Sequence, residues 1–146
     1  MRRTIAVLAA VLMLAVVGQF FLAGSGAFDT APTDEAFRPH RALGYMVVLL
    51  ALVTTLTAAV ARVPGRLIGM TGLLAGLAIA QPLIAVIAEA FGDTGTSTGG
   101  QLVFGLHAVN GLFMMGVAGR ILREARSPSN STASTDRTAG GARSAP

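Results

Sequence analysis

Four apolar runs dominate this 146-residue chain, and each is long enough to cross a bilayer. They cover Ile5–Ala23, Ala42–Ala61, Leu67–Ala90 and Gln101–Gly119. A hydrocarbon core about 30 Å thick needs about 20 apolar residues per helix, and within it only helices and closed barrels satisfy their backbone polar groups. Charged residues make up 12% of the chain, against about 25% in an ordinary soluble domain. Nearly all of them lie outside the four runs. The fold class is therefore all-α, an integral membrane up-down four-helix bundle. Its helices are expected at about 4–23, 34–62, 67–90 and 101–124, within one domain covering 1–126.

The connections read as follows. Gly24–Thr33 is a Gly/Ser/Pro loop. Thr33 is expected to cap the second helix, with Asp34 and Glu35 in its first turn and a bend at Pro39. Arg62-Val-Pro-Gly-Arg66 is a tight turn between antiparallel helices. The third run carries Gly69, Gly72, Gly76 and Ala80 as a small-residue stripe suited to close helix packing. It also contains Gln81-Pro82, where a kink is expected. Residues 127–146, rich in Ser, Thr, Ala and Gly, are expected to be a disordered cytoplasmic tail. Run one exceeds the 7–15 residues typical of a signal h-region, so it is read as a retained helix.

Arg2, Arg3, Arg62, Arg66, Arg120, Arg123 and Arg126 fall on one side of four spans. By the positive-inside bias, both termini are cytoplasmic in a multi-pass protein of the cell membrane. The net charge of +4 comes from these flanking arginines, so no nucleic-acid partner is expected. With no cysteine, disulfides, iron–sulfur clusters, thiolate zinc sites and covalent c-type haem are excluded.

The intramembrane polar residues are few and share a level. Gln19, His40, Gln81, His107 and Asn110 all fall in the outer half of the bilayer, while the inner half is apolar apart from threonines. Ionisable groups at membrane depth are costly and face the bundle interior. The two histidines repeat a pattern: His40 and Gly44, and His107 and Gly111, each put a glycine one turn below an imidazole at the head of a run. On the fourth helix His107, Asn110, Gly111, Met114 and Ala118 form one stripe; on the second, His40, Gly44, Val47, Ala51 and Thr55 do the same. The two helices are diagonal in an up-down bundle, where cofactors lie between facing helices. Two imidazoles on opposite sides of one metal make a bis-His haem site. His40 and His107 are thus the candidate ligands of haem iron, in a haem b. Arg38 and Arg41 are placed to pair with propionates. Gly44 and Gly111 are expected to leave room for the ring. Asn110, Gln19 and Gln81 would orient the imidazoles or hold a water.

Pro39-His40-Arg41-x-x-Gly44, with His107 heading the fourth helix, resembles one four-helix half of the haem A synthase family, and the wider group of four-helix membrane b-type cytochromes. The stretch up to about Arg126 also resembles small four-span bacterial membrane proteins, many of them actinobacterial. The resemblance implies His40 and His107 as axial ligands. The synthases place a catalytic Glu three residues before the first of these histidines; here that position is Phe37, so their haem hydroxylation is not carried over and no enzymatic reaction is assigned. The expected function is electron transfer, or a small haem-binding subunit of a redox complex, with the lipid bilayer around it and a homodimer or larger redox complex as its assembly. The alternative is a cofactor-free structural or accessory membrane protein. A proton channel would need ionisable groups across the whole span, which the apolar inner half lacks.

Overall fold

A computed structural model of the chain describes residues 1–91 and 97–127. Five helices follow in order: α1 (Arg2–Ala27), the short α2 (Thr33–Ala36), α3 (Arg38–Val60), α4 (Gly65–Ala90) and α5 (Thr98–Arg126). Among the described residues there is no strand, and α1, α3, α4 and α5 are each long and apolar enough to cross a membrane. The chain is an all-α, multi-pass membrane protein.

The four long helices close into a ring. α1 packs on α3 and α5, and α4 packs on α3 and α5, while the diagonal pairs do not approach at the backbone. At one end the Arg2 guanidinium donates to the Glu124 carbonyl at 2.7 Å, and Arg66 pairs with the Glu124 carboxylate at 3.8 Å. The starts of α1 and α4 therefore meet the end of α5, as an antiparallel bundle requires.

The largest fully buried side chains are Ile5, Leu12, Thr54, Leu67, Thr71, Leu74, Met114 and Ile121. Thr54 and Thr71 satisfy their hydroxyls within their own helices, on Leu50 O at 2.7 Å and Ile68 O at 2.8 Å, and so cost little in the core. This tight packing fills the arginine-rich end and the middle. It stops at one level: no residue is fully buried between Val16 and Gly26, between Arg38 and Val47, between Ala78 and Ala88, or between Gly100 and Gly111. That band is the level of both histidines.

Several boundaries differ from the sequence reading. α1 continues through Gly24-Ser25-Gly26-Ala27 where a loop was expected. Gly26 is buried there, and a Cβ on it would lie 2.9 Å from Ala36 O and 3.3 Å from the Phe37 ring. Packing of the α2–Phe37 segment against this turn outweighs its poor helix propensity. The second helix is not continuous from Thr33. Pro32, not Thr33, precedes its first turn, and Phe37 (φ −94°, ψ 4°) separates α2 from α3. His40 is therefore the third residue of α3, and Pro39 sits in the first turn, where its missing N–H costs nothing. α5 starts at Thr98 because the Ser97 hydroxyl accepts from Gly100 N at 3.0 Å, an N-cap.

The turn at residues 61–64 has a definite form. Arg62 takes φ +48°, its N–H bonds Ala59 O at 3.0 Å, and Val63 N–H bonds Ala58 O at 3.3 Å. This is a Schellman motif, with Val63 buried beneath it and Pro64 stopping the helix. The glycine stripe of α4 does not pack as expected. A Cβ on Gly69 or Gly76 would meet nothing within 4 Å, and one on Gly72 would only touch Thr55 at 4.0 Å. The inward face of α4 is Leu67, Thr71, Leu74, Ala75 and Ala78. The expected disordered tail, beyond Ser127, lies outside the described residues.

Candidate functional site

The site is built from two equivalent helix pairs, α1 with α3 and α4 with α5. His40 Nδ1 lies 3.0 Å from Gln19 O, and His107 Nδ1 lies 3.2 Å from Gln81 O. A carbonyl oxygen only accepts, so each imidazole donates from Nδ1. Each ring is thus fixed by a main-chain oxygen of the neighbouring helix, and among the described residues Nε2 has no hydrogen-bond partner. The sequence reading assigned this task to the side chains of Gln19, Gln81 and Asn110; the main chain of the two glutamines performs it instead.

The two rings meet across the diagonal of the bundle. Their centroids are 6.0 Å apart with an interplanar angle of 49°. Both are half-buried. Each has an aromatic ring three residues before it: Phe37 meets His40 edge-on at 6.2 Å, and Phe104 stacks on His107 at 5.4 Å with the planes 2° apart. The sequence reading gave Phe37 and Phe104 no role. The signal was there, since the repeat is Phe-x-x-His-x-x-x-Gly in both halves.

The glycines serve a different purpose from the one expected. A Cβ on Gly44 would lie 2.9 Å from Gln19 Nε2; on Gly111 it would lie 3.1 Å from the tip of Phe20 and 3.4 Å from Gln81 Nε2. The space beside each glycine therefore holds a glutamine amide, joined by Phe20 at Gly111, and is not an open slot. The amides are poorly held, because Gln19 Oε1 and Gln81 Oε1 are both buried without a hydrogen-bond partner.

Asn110 ties the helices together. Its Nδ2 donates to Leu77 O at 2.8 Å. Leu77 and Gln81 bracket Ala78, whose carbonyl has no helix donor because Pro82 lacks an N–H. α5 grips α4 on both sides of that interruption. Arg41 lies outside the pair and is engaged with Asp34, donating to its carbonyl and facing its carboxylate at 3.6 Å. Arg38 is exposed beside it. Arg41 is thus a clasp between α2 and α3, while Arg38 forms no ion pair among the described residues.

The site offers two imidazoles as donors. Among the described residues no group of three or more His, Cys, Asp or Glu side chains comes together, so a bare ion finds no cage. His40 and His107, with ring centroids 6.0 Å apart, are the side chains that would hold a cofactor metal here. A macrocycle between them would have to displace the Gln19 and Gln81 amides, whose oxygens give up no hydrogen bond in moving.

Residues 19–89 match a family of unknown function, DUF6220. The matched stretch takes in Gln19, His40, Gly44 and Gln81 and stops before His107. No curated protein and no solved structure matches the chain.

Proposed function

We propose that His40 and His107 are the axial ligands of a haem b, in a membrane protein that passes electrons or serves as a small haem-binding subunit of a redox complex. The observation that carries this reading is the pair of Nδ1 bonds to Gln19 O and Gln81 O, on rings 6.0 Å apart whose Nε2 atoms have no partner among the described residues. Metal-ligating histidines commonly donate their other ring N–H to a carbonyl, which fixes tautomer and orientation. The band of incomplete burial at this level supports the same reading. Bound there, haem would supply a one-electron centre. The protein's part is to hold the imidazoles, keep Phe37 and Phe104 against their faces and edges, and offer Arg38 to a carboxylate at the surface. With the arginine-rich end taken as cytoplasmic, the site lies toward the outer leaflet. The resemblance to a haem A synthase half agrees with the ligand pair and, with Phe37 where the synthases carry Glu, not with their chemistry.

A second reading rests on the glutamines. Gln19 and Gln81 already fill the space beside Gly44 and Gly111, which favours a cofactor-free structural protein whose polar residues join helices. One experiment separates the two: an absorption spectrum of the detergent-purified chain, oxidised and dithionite-reduced, with a pyridine haemochrome assay. Near-stoichiometric low-spin haem that is lost in both His40→Ala and His107→Ala, with membrane insertion retained, supports haem ligation. A colourless protein that takes up no added haem leaves the structural reading.

A further inference from the structure

At the arginine-rich end an open groove of about 460 Å³ runs along α1 and is flanked at one end by Arg126 of α5. Arg3 and Arg126 stand at its mouth, and Ala6, Val7, Ala10 and Leu14 form its wall. Both arginines are exposed, and neither forms an ion pair among the described residues. Glu124, the one acid described near that end, is engaged with Arg66 at 3.8 Å. We propose that this groove binds an anionic phospholipid of the surrounding bilayer, with Arg3 and Arg126 on the headgroup phosphate and one acyl chain along Ala6, Ala10 and Leu14.

Length and chemistry both fit. From residue 3 to residue 14 an α-helix rises about 16 Å, close to the roughly 15 Å depth of one leaflet's hydrocarbon. The arginines therefore fall at headgroup level when the apolar wall lies among the tails. Ala6 and Ala10, being short, create the groove, and Val7 and Leu14, exposed to 62% and 72%, are its apolar rim. Guanidinium groups pair with phosphate in a two-pronged geometry, and basic pockets between membrane helices select anionic headgroups. The arrangement recurs on the outer face of α5. There a shallow groove over Gly116, where a Cβ would meet nothing within 4 Å, runs from Val109 to Arg120 and Arg123. This inference does not rest on the haem reading.

The test is native mass spectrometry of the full chain released from detergent, titrated with phosphatidylglycerol and, in parallel, phosphatidylcholine. Wild type is expected to retain phosphatidylglycerol preferentially. Arg3→Gln combined with Arg126→Gln should weaken retention at this groove roughly twenty-five-fold, taking about one factor of five per lost charge. Arg62→Gln, an arginine that lines neither groove, should leave it unchanged. Ala10→Leu keeps both charges but fills the wall, and should also weaken retention. Equal retention of the two lipids, unchanged retention in the double variant, or displacement of the lipid by inorganic phosphate alone would overturn the proposal.

Discussion

The imidazoles of His40 and His107 lie 6.0 Å apart although they belong to α3 and α5, diagonal helices whose backbones do not approach. Each is anchored from behind by a hydrogen bond to a carbonyl of the neighbouring helix, Gln19 O for one and Gln81 O for the other. This predicts the tautomer. Both rings should carry the proton on Nδ1, with Nε2 as the accepting nitrogen. Nitrogen-15 solid-state NMR of histidine-labelled protein in lipid checks it; an Nε2–H tautomer at either ring would contradict the geometry and remove that ring as a metal ligand through Nε2.

Gly26 and Gly24 are two residues apart in α1 and should respond to alanine in opposite directions. A Cβ at Gly26 would sit 2.9 Å from the backbone oxygen of Ala36, which cannot swing away as a side chain can. Gly26→Ala should cost about 1–3 kcal/mol, the usual range for forcing extra volume into a packed site. At Gly24 there is nothing within 4 Å, so Gly24→Ala should gain about 0.5–1 kcal/mol from helix propensity alone. Reversible unfolding in mixed micelles measures both. Similar effects from the two changes would mean that α2 does not rest on this turn.

Much of this architecture was legible in the sequence, for a physical reason. Apolar runs such as Ile5–Ala23 are forced by the bilayer, and nothing local competes with them. The His40 and His107 stripes were legible because period and cost coincide: an imidazole in an apolar span has few places to point. What was not legible depended on partners. Gly44 and Gly111 look like vacant space until one knows that Gln19 and Gln81 fold into it. Gly69 and Gly76 look like a packing stripe, but α4 turns Leu74 and Ala78 inward instead. Both patterns have helical period, and periodicity does not say which face wins.

Arg62 is the one described non-glycine residue with positive φ, at +48°. It occupies the position after the α3 cap where glycine is usual, and the left-handed conformation costs a side-chain-bearing residue roughly 1–2 kcal/mol. Arg62→Gly should therefore stabilise the bundle by about 1 kcal/mol, while Arg62→Val, with a branched Cβ, should lower stability. Six other arginines remain at that end, so insertion should not change. Denaturant midpoints in detergent give the sign, and a loss of stability in Arg62→Gly would show that the side chain contributes more than its strain.

Asn110 holds α5 to α4 through one bond, Nδ2 to Leu77 O at 2.8 Å. Hydrogen bonds between membrane helices average about 0.6 kcal/mol and reach about 1.7 kcal/mol. This one should fall in the upper part of that range, because Leu77 neighbours the carbonyl that Pro82 deprives of its donor, and the helix there has fewer internal bonds to compensate. Asn110→Ala should lower unfolding free energy by about 1–1.7 kcal/mol. In a Pro82→Ala background, with the helix bond to Ala78 O restored, the same change should cost less. Equal costs in both backgrounds would show that the kink and the Asn110 bond are independent.

Gly44→Ala and Gly111→Ala separate the two functional readings by a route that leaves the histidines intact. At Gly44 the obstacle is the end of a flexible glutamine, at 2.9 Å; at Gly111 it is also the tip of the Phe20 ring, at 3.1 Å. A glutamine amide can rotate away, and its oxygen has no bond to lose, so Gly44→Ala should change stability by less than about 1 kcal/mol, whereas Gly111→Ala should cost about 1–3 kcal/mol by overpacking. If a macrocycle lies between His40 and His107, the displaced glutamine has to share its new space with a ring edge, and the added methyl narrows that space further. Haem content per polypeptide should then fall several-fold in Gly44→Ala despite near-normal stability. Pyridine haemochrome and denaturant unfolding on the same preparations give both quantities. A Gly44→Ala protein with full haem content would mean that the ring does not pass this glycine, and would move the cofactor plane away from the Gln19 side of the site.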